Sequence, residues 1–135
     1  MKTLATVLLI ALCAFALACG GYSSSSHTAA PATAGTTPTI TVLNPNSSTH
    51  GDPAFVLTVT GTNFSTKAVI NFNGTAQTTN QVSATQLTAT IAAADIANAG
   101  TMPVTVTNPA VAGTGLYGGG GTLAETSPPM NFTVN

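Results

Sequence analysis

The sequence predicts an all-β fold, two antiparallel sheets packed face to face. Three observations carry this. Apolar residues alternate with polar ones in six runs between Thr39 and Val134. Turn-forming Asn, Gly and Pro residues separate those runs. Only Ala92–Ala99 is rich in helix formers, and a stretch that short cannot hold a helix alone. A sheet closed into a barrel is the alternative architecture.

The runs follow in order. Ile40 and Val42 alternate with Thr39 and Thr41, and Asn44-Pro45-Asn46 ends the run. Phe55, Leu57 and Val59 alternate with Thr58 and Thr60. Ala68, Ile70 and Phe72 alternate with Lys67 and Asn71. The pair Asn73-Gly74 then predicts a tight hairpin, because both residues tolerate positive φ. Leu87, Ala89 and Ile91 form the next apolar face, and Ala92–Ala99 is read as a helical turn. Met102, Val104 and Val106 follow, closed by Asn108-Pro109. Pro103 lies inside that run and cannot donate to a ladder. It belongs at the strand's first residue, or where its missing N–H faces outward. Met130, Phe132 and Val134 make the last strand. Each run has one apolar and one hydroxyl-rich face, the pattern of half-buried antiparallel strands. About seven strands are expected.

The N-terminus has a different character. Met1-Lys2-Thr3 precedes an uncharged stretch from Leu4 to Ala18, and Cys19-Gly20 follows. The stretch is about 15 residues, short of the roughly 20 a spanning helix needs. It resembles a bacterial lipoprotein signal, cut before Cys19 and leaving lipid on that residue. An ordinary cleavable signal is the alternative. The expected organisation is a signal at 1–18, a flexible Ser/Thr/Ala-rich linker at 19–37 and one domain at 38–135. The implied location is the cell envelope, with the membrane as partner through lipid on Cys19. Gly20 is not acidic, which favours the outer membrane where a cell has two.

Cys13 and Cys19 are the two cysteines. One falls in the signal and the other carries the lipid. No disulfide, zinc site or thiol nucleophile is expected in the domain.

Charge is scarce: two Lys+Arg and three Asp+Glu in 135 residues. Nucleic-acid binding needs a basic footprint, and beyond the signal only Lys67 is cationic. Nucleic acid is therefore excluded as an expected partner. Solubility falls to Thr, Ser, Asn and Gln.

His50 and Asp52 lie in Asn46-Ser47-Ser48-Thr49-His50-Gly51-Asp52-Pro53. A catalytic triad needs a base, a nucleophile, an orienting acid and an oxyanion hole. One turn rarely places all four, so a polar turn is expected. His50 and Asp52 also supply too few ligands for zinc. The Gly-rich stretch Ala110–Pro129 lacks the lysine and hydroxyl of a phosphate cradle. No cofactor and no metal are expected. Three loops remain as candidate contacts: Thr49–Asp52 with His50 and Asp52, Asn73 with Gly74, and Ala110–Pro129 with Leu116 and Tyr117. Aromatic residues such as Tyr117 are favoured at binding spots.

Several stretches resemble the IPT/TIG domain family. Pro38-Thr39-Ile40-Thr41-Val42-Leu43-Asn44-Pro45 is similar to its opening strand. Leu57-Thr58-Val59-Thr60-Gly61-Thr62-Asn63-Phe64 resembles its Gly-x-Asn-Phe motif. Val69–Gly74, Val104–Pro109 and Phe132-Thr133-Val134 resemble later strands. The resemblance implies an immunoglobulin-like β-sandwich. Within it Gly61 avoids a Cβ clash, Asn63 bonds nearby backbone and Phe64 plugs the core. The resemblance points to binding, adhesion or spacing rather than catalysis, with an unknown protein or envelope polysaccharide as partner. A carbohydrate-binding accessory module is an alternative, although the chain has no Trp and only two Tyr. A small hydrolase is a further alternative.

Overall fold

The computed structural model describes residues 29–115 and 119–135. Among the described residues ten strands form: β1 Thr39–Asn44, β2 Ser47–Ser48, β3 Phe55–Thr62, β4 Val69–Phe72, β5 Thr75–Ala76, β6 Thr79–Ser83, β7 Gln86–Ile91, β8 Gly100–Asn108, β9 Glu125–Thr126 and β10 Met130–Val134. Three of them (β2, β5, β9) have two residues each. The other seven match the expected strand count. The helical turn read at Ala92–Ala99 is one turn of 3-10 helix, Ala93–Ile96.

The strands make two sheets. One has the order β1-β3-β7-β6; the other runs β2-β10-β8-β4-β5, with β9 beside β8. Every pairing is antiparallel except that of β2 with β10. This is the arrangement of an immunoglobulin-like sandwich. The chain changes sheets between β1 and β2, at Pro45.

The inward faces are those the alternation marks, with one correction. Leu57, Val59, Ile70, Phe72, Leu87, Ile91, Val104, Val106, Phe132 and Val134 are buried. Phe132 stacks on Phe55 at 5.5 Å and meets Phe72 edge-on at 5.4 Å, joining β10 to both sheets. Val42, expected inward with Ile40, is instead 51% exposed. A bulge is the cause. Ile40 pairs with Gly61 and Val42 with Thr60, so Thr41 is an extra residue in β1. One added residue turns the following side chains over, and Leu43 takes the inward place.

Pro103 sits at neither place expected of it. It is the fourth residue of β8, a strand paired on both sides. Its carbonyl accepts the Asn73 N–H at 2.9 Å. A strand residue's N and O point to the same neighbour, so its missing N–H faces the Asn73-Gly74 turn. Strand β4 ends at Phe72, one residue short of that point.

β9 and β10 are two lengths of one strand along β8, interrupted by Pro128-Pro129. Neither proline can donate. Ser127, just before them, is fastened to Val106 twice. Its N–H donates to the Val106 carbonyl at 2.8 Å, and its buried hydroxyl accepts the Val106 N–H at 3.0 Å.

Candidate functional site

Strand direction sorts the candidate loops to opposite ends of the sandwich. β1 ends, β3 begins and β8 begins at one end, the far end. Thr49–Asp52, Asn73-Gly74 and the 3-10 turn Ala93–Ile96 are here. β1 begins, β3 ends and β8 ends at the other, the tether end. The segments around Asn63, Asn108, Ala110–Ala112 and Gly121–Leu123 are there.

At the far end, Asp52 organises its own turn. Its Oδ2 accepts the Thr49 N–H and the Ser48 hydroxyl, both at 2.8 Å. The Thr49 N–H, then the Ser48 hydroxyl, hold the Asp52 carboxyl below the usual carboxylate range. His50 turns elsewhere. Its backbone N–H and its Nδ1 both meet the Asn135 carbonyl, at 2.8 and 2.9 Å. A carbonyl only accepts, so Nδ1 carries the hydrogen. Ser48 thus donates to Asp52 and not to His50. The serine hydroxyl faces a carboxylate and no imidazole, so the triad geometry does not form.

Asn73 and Gly74 have φ of 48° and 80°, and Phe72 pairs with Thr75 across them. That is the expected tight hairpin, and both positive φ values make its turn type I′. Both residues are exposed. Nearby, Asp95 accepts the Ala92 N–H at 3.3 Å and the Gln77 amide at 3.4 Å. Ile96, fully buried, pins the 3-10 turn to the core. The far end is therefore an internally hydrogen-bonded, hydroxyl- and carboxylate-bearing surface.

The tether end is built on Asn108. Val104, Val106 and Asn108 share the inward face of β8, so the strand's own register carries an amide into the interior. Its Oδ1 accepts the Ser65 N–H at 2.9 Å. Its Nδ2 donates to the Thr36 and Asn63 carbonyls, each at 2.8 Å. One side chain thus ties the start of β1, the turn after β3 and the end of β8. Sequence reading took Asn108 only as a strand terminator. The signal was its place two residues beyond Val106.

Gly61, Asn63 and Phe64 act beside it. A Cβ on Gly61 would lie 2.0 Å from the Thr39 carbonyl oxygen and 2.5 Å from the Phe64 ring. Asn63 adopts φ of 62°, and its amide donates to the Thr37 carbonyl at 3.3 Å. Phe64 is buried.

Residues 30–37, part of the stretch expected as a free linker, are bonded to the Gly-rich segment. Thr33 donates to the Gly121 carbonyl and accepts from Leu123, both at 2.9 Å; Gly120 donates to Ala30 at 3.3 Å. Thr122 bridges Thr33 on one side and Val111 on the other. The Thr37 hydroxyl reaches Glu125 at 3.3 Å. A shallow groove of about 330 Å³ lies over Phe64, Ser65, Pro109, Val111 and Leu123. Val111 and Leu123 are 60% and 55% exposed. The Ser65 hydroxyl is buried without a hydrogen-bond partner among the described residues.

Cys19, Leu116 and Tyr117 lie outside the described residues. Among the described residues no cluster of three His, Cys, Asp or Glu side chains could hold a metal ion. No helix among them is long and apolar enough to cross a membrane.

The sequence model described as IPT/TIG domain matches residues 38–123. The match stops before β9 and β10, which complete the second sheet. No curated protein matches the chain, and no solved structure does.

Proposed function

Because the chain belongs to the IPT/TIG domain family, whose domains are generally non-catalytic binding modules, we propose that it is a cell-envelope lipoprotein. Lipid on Cys19 holds it to the membrane, and its loops bind an envelope partner. The observation that carries the binding role is the grouping at the far end. Two of the three expected contact loops, Thr49–Asp52 and Asn73-Gly74, share the end of the sandwich opposite residues 30–37.

The chemistry of that end supports recognition rather than turnover. Asp52 bonds to groups of its own turn and His50 to the Asn135 carbonyl, which ties the surface down without aiming a nucleophile. Rigid loops lose little entropy when they bind. The side chains on offer are Thr, Ser, Asn and His, suited to a neutral, hydrogen-bonding partner such as a protein loop or an envelope polysaccharide. A polyanion is disfavoured by the formal charge of −1 and by Asp52 and Asp95 at this end.

Two experiments test the two halves. Metabolic labelling with a fatty-acid analogue should mark the wild type and leave Cys19→Ser unmarked. A glycan array, with a cross-linking pull-down from envelope extract, should give a partner whose retention falls in His50→Ala and Asn73→Ala. Label on Cys19→Ser would overturn the anchor. Retention unchanged in both loop variants would overturn the binding face.

A further inference from the structure

We propose that the tether end of the sandwich lies on the bilayer surface, with Val111 and Leu123 at the lipid interface. The inference rests on the Cys19 anchor proposed above and adds the orientation of the domain.

The argument starts with chain length. Ala30 lies eleven positions after Cys19, and Gly120 donates to the Ala30 carbonyl. A chain spans at most about 3.6 Å per residue, so Ala30 stays within about 40 Å of the lipid-bearing cysteine. Were the chain free up to Pro38, that limit would be about 70 Å. The bonds at Ala30, Thr33, Thr36 and Thr37 therefore remove about eight residues of slack from the leash. They also fix which end is held close.

Surface chemistry agrees with that end. Val111 and Leu123 stand more than half exposed beside the bonded strap. Lys67, on the turn that follows Phe64, and Glu125, bonded to Thr37, are both at this end and offset each other. The far end carries Asp52 and Asp95, which an anionic membrane repels. Two aliphatic side chains bind a bilayer weakly alone, but a covalent leash makes the contact intramolecular, and weak contacts then suffice.

The chain has no Trp, so single-Trp variants report position directly. Val111→Trp, Leu123→Trp and Asn73→Trp are made in the full chain, purified with lipid, and placed in phosphatidylethanolamine–phosphatidylglycerol vesicles with brominated acyl chains. Intact mass reports whether Cys19 carries lipid. If it carries none, the anchor reading fails by itself, and coupling the Cys19 thiol to a maleimide lipid tests orientation separately. The expected result is blue-shifted, quenched emission from Val111→Trp and Leu123→Trp, with Asn73→Trp unquenched. Equal quenching at both ends, none at either, or quenching at Asn73→Trp alone would overturn the proposal. So would a blue shift at Val111→Trp without quenching, because a protein rather than lipid would then cover the patch.

Discussion

Asn108 and Asp52 sit in surroundings that make opposite demands on a carboxylate: carbonyls face the Asn108 amide, and donors face the Asp52 oxygen. Asn108 offers two amide hydrogens to two carbonyls and one oxygen to one N–H. Asn108→Asp keeps the shape but sets a carboxylate oxygen against the Thr36 and Asn63 carbonyls. Its charged form is disfavoured, so its native pKa rises. The sign follows from linkage: a raised carboxyl loses stability as pH climbs above the unfolded value of about 3.9. The variant should be least stable at neutral pH and recover in acid. Asn108→Leu should be destabilised by about 1–3 kcal/mol for each group left unpaired, at all pH values. Asp52 behaves the other way. Its carboxyl is lowered by the Thr49 N–H and the Ser48 hydroxyl. Its contribution is full above about pH 3.9 and is lost as pH falls through the lowered native value. Thermal unfolding across pH 2–8, comparing wild type with Asp52→Asn, should therefore converge only at the acid end of the range. Gly61 adds a steric case. Gly61→Ala drives a methyl against the Thr39 carbonyl of the neighbouring strand and the Phe64 ring. Overpacking of this kind costs about 1–3 kcal/mol, read as a lower urea midpoint with an unchanged slope.

Elements depend on the same accounting of backbone groups. Ser127 fastens β8 beside two consecutive prolines: its hydroxyl accepts the Val106 N–H and donates to the Pro128 carbonyl. Ser127→Ala should cost about 1–3 kcal/mol by orphaning that buried donor. Native-state hydrogen exchange should show the Val106 amide losing protection before the rest of β8. The strap of residues 30–37 answers to exchange too. The Thr33 and Leu123 amides should be protected in the wild type, and Thr33→Pro, which removes the N–H given to the Gly121 carbonyl, should loosen the strap and speed exchange at Leu123. These devices also mark where sequence reading stopped. Strong alternation at Leu57–Val59, Leu87–Ile91 and Phe132–Val134 was legible, because burial there is strictly period two. β6 was not. Its residues Thr79–Ser83 are polar, with Val82 turned outward at a second bulge, and only pairing with β7 defines it. The bulge at Thr41 was hidden for a related reason, since Thr and Val both suit either face of a strand. The Asn73-Gly74 hairpin was readable because its constraint is local. The Asn108 tie was not, because its acceptors lie 72 and 45 positions away.

At the scale of the whole molecule the unusual quantity is charge. Lys67, Asp52, Asp95 and Glu125 are the charged side chains of residues 38–135. The bonds each carboxylate makes go to neutral groups: Asp52 to Ser48 and Thr49, Asp95 to Ala92 and Gln77, Glu125 to Thr37. Stability then derives from the Phe55–Phe72–Phe132 core, from backbone ladders and from amide ties. Salt screens charge–charge attraction and leaves hydrogen bonds to hydroxyls and backbone largely alone. The thermal midpoint at neutral pH should therefore be nearly the same in dilute buffer and in molar sodium chloride. Reductant should leave it unchanged as well, because both cysteines precede residue 20. A marked fall with salt would mean that ion pairs hold the sandwich. The same paucity of charge bears on recognition. A partner cannot be steered from a distance by so weak a field, so association should be slow and insensitive to salt. Short-range hydrogen bonds from the far-end loops would then have to supply the specificity. Measuring the association rate of any captured partner at two ionic strengths checks this directly. A rate that drops with salt would place the contact on Lys67 or the carboxylates instead of on the hydroxyl and amide groups of Thr49–Asp52 and Asn73-Gly74.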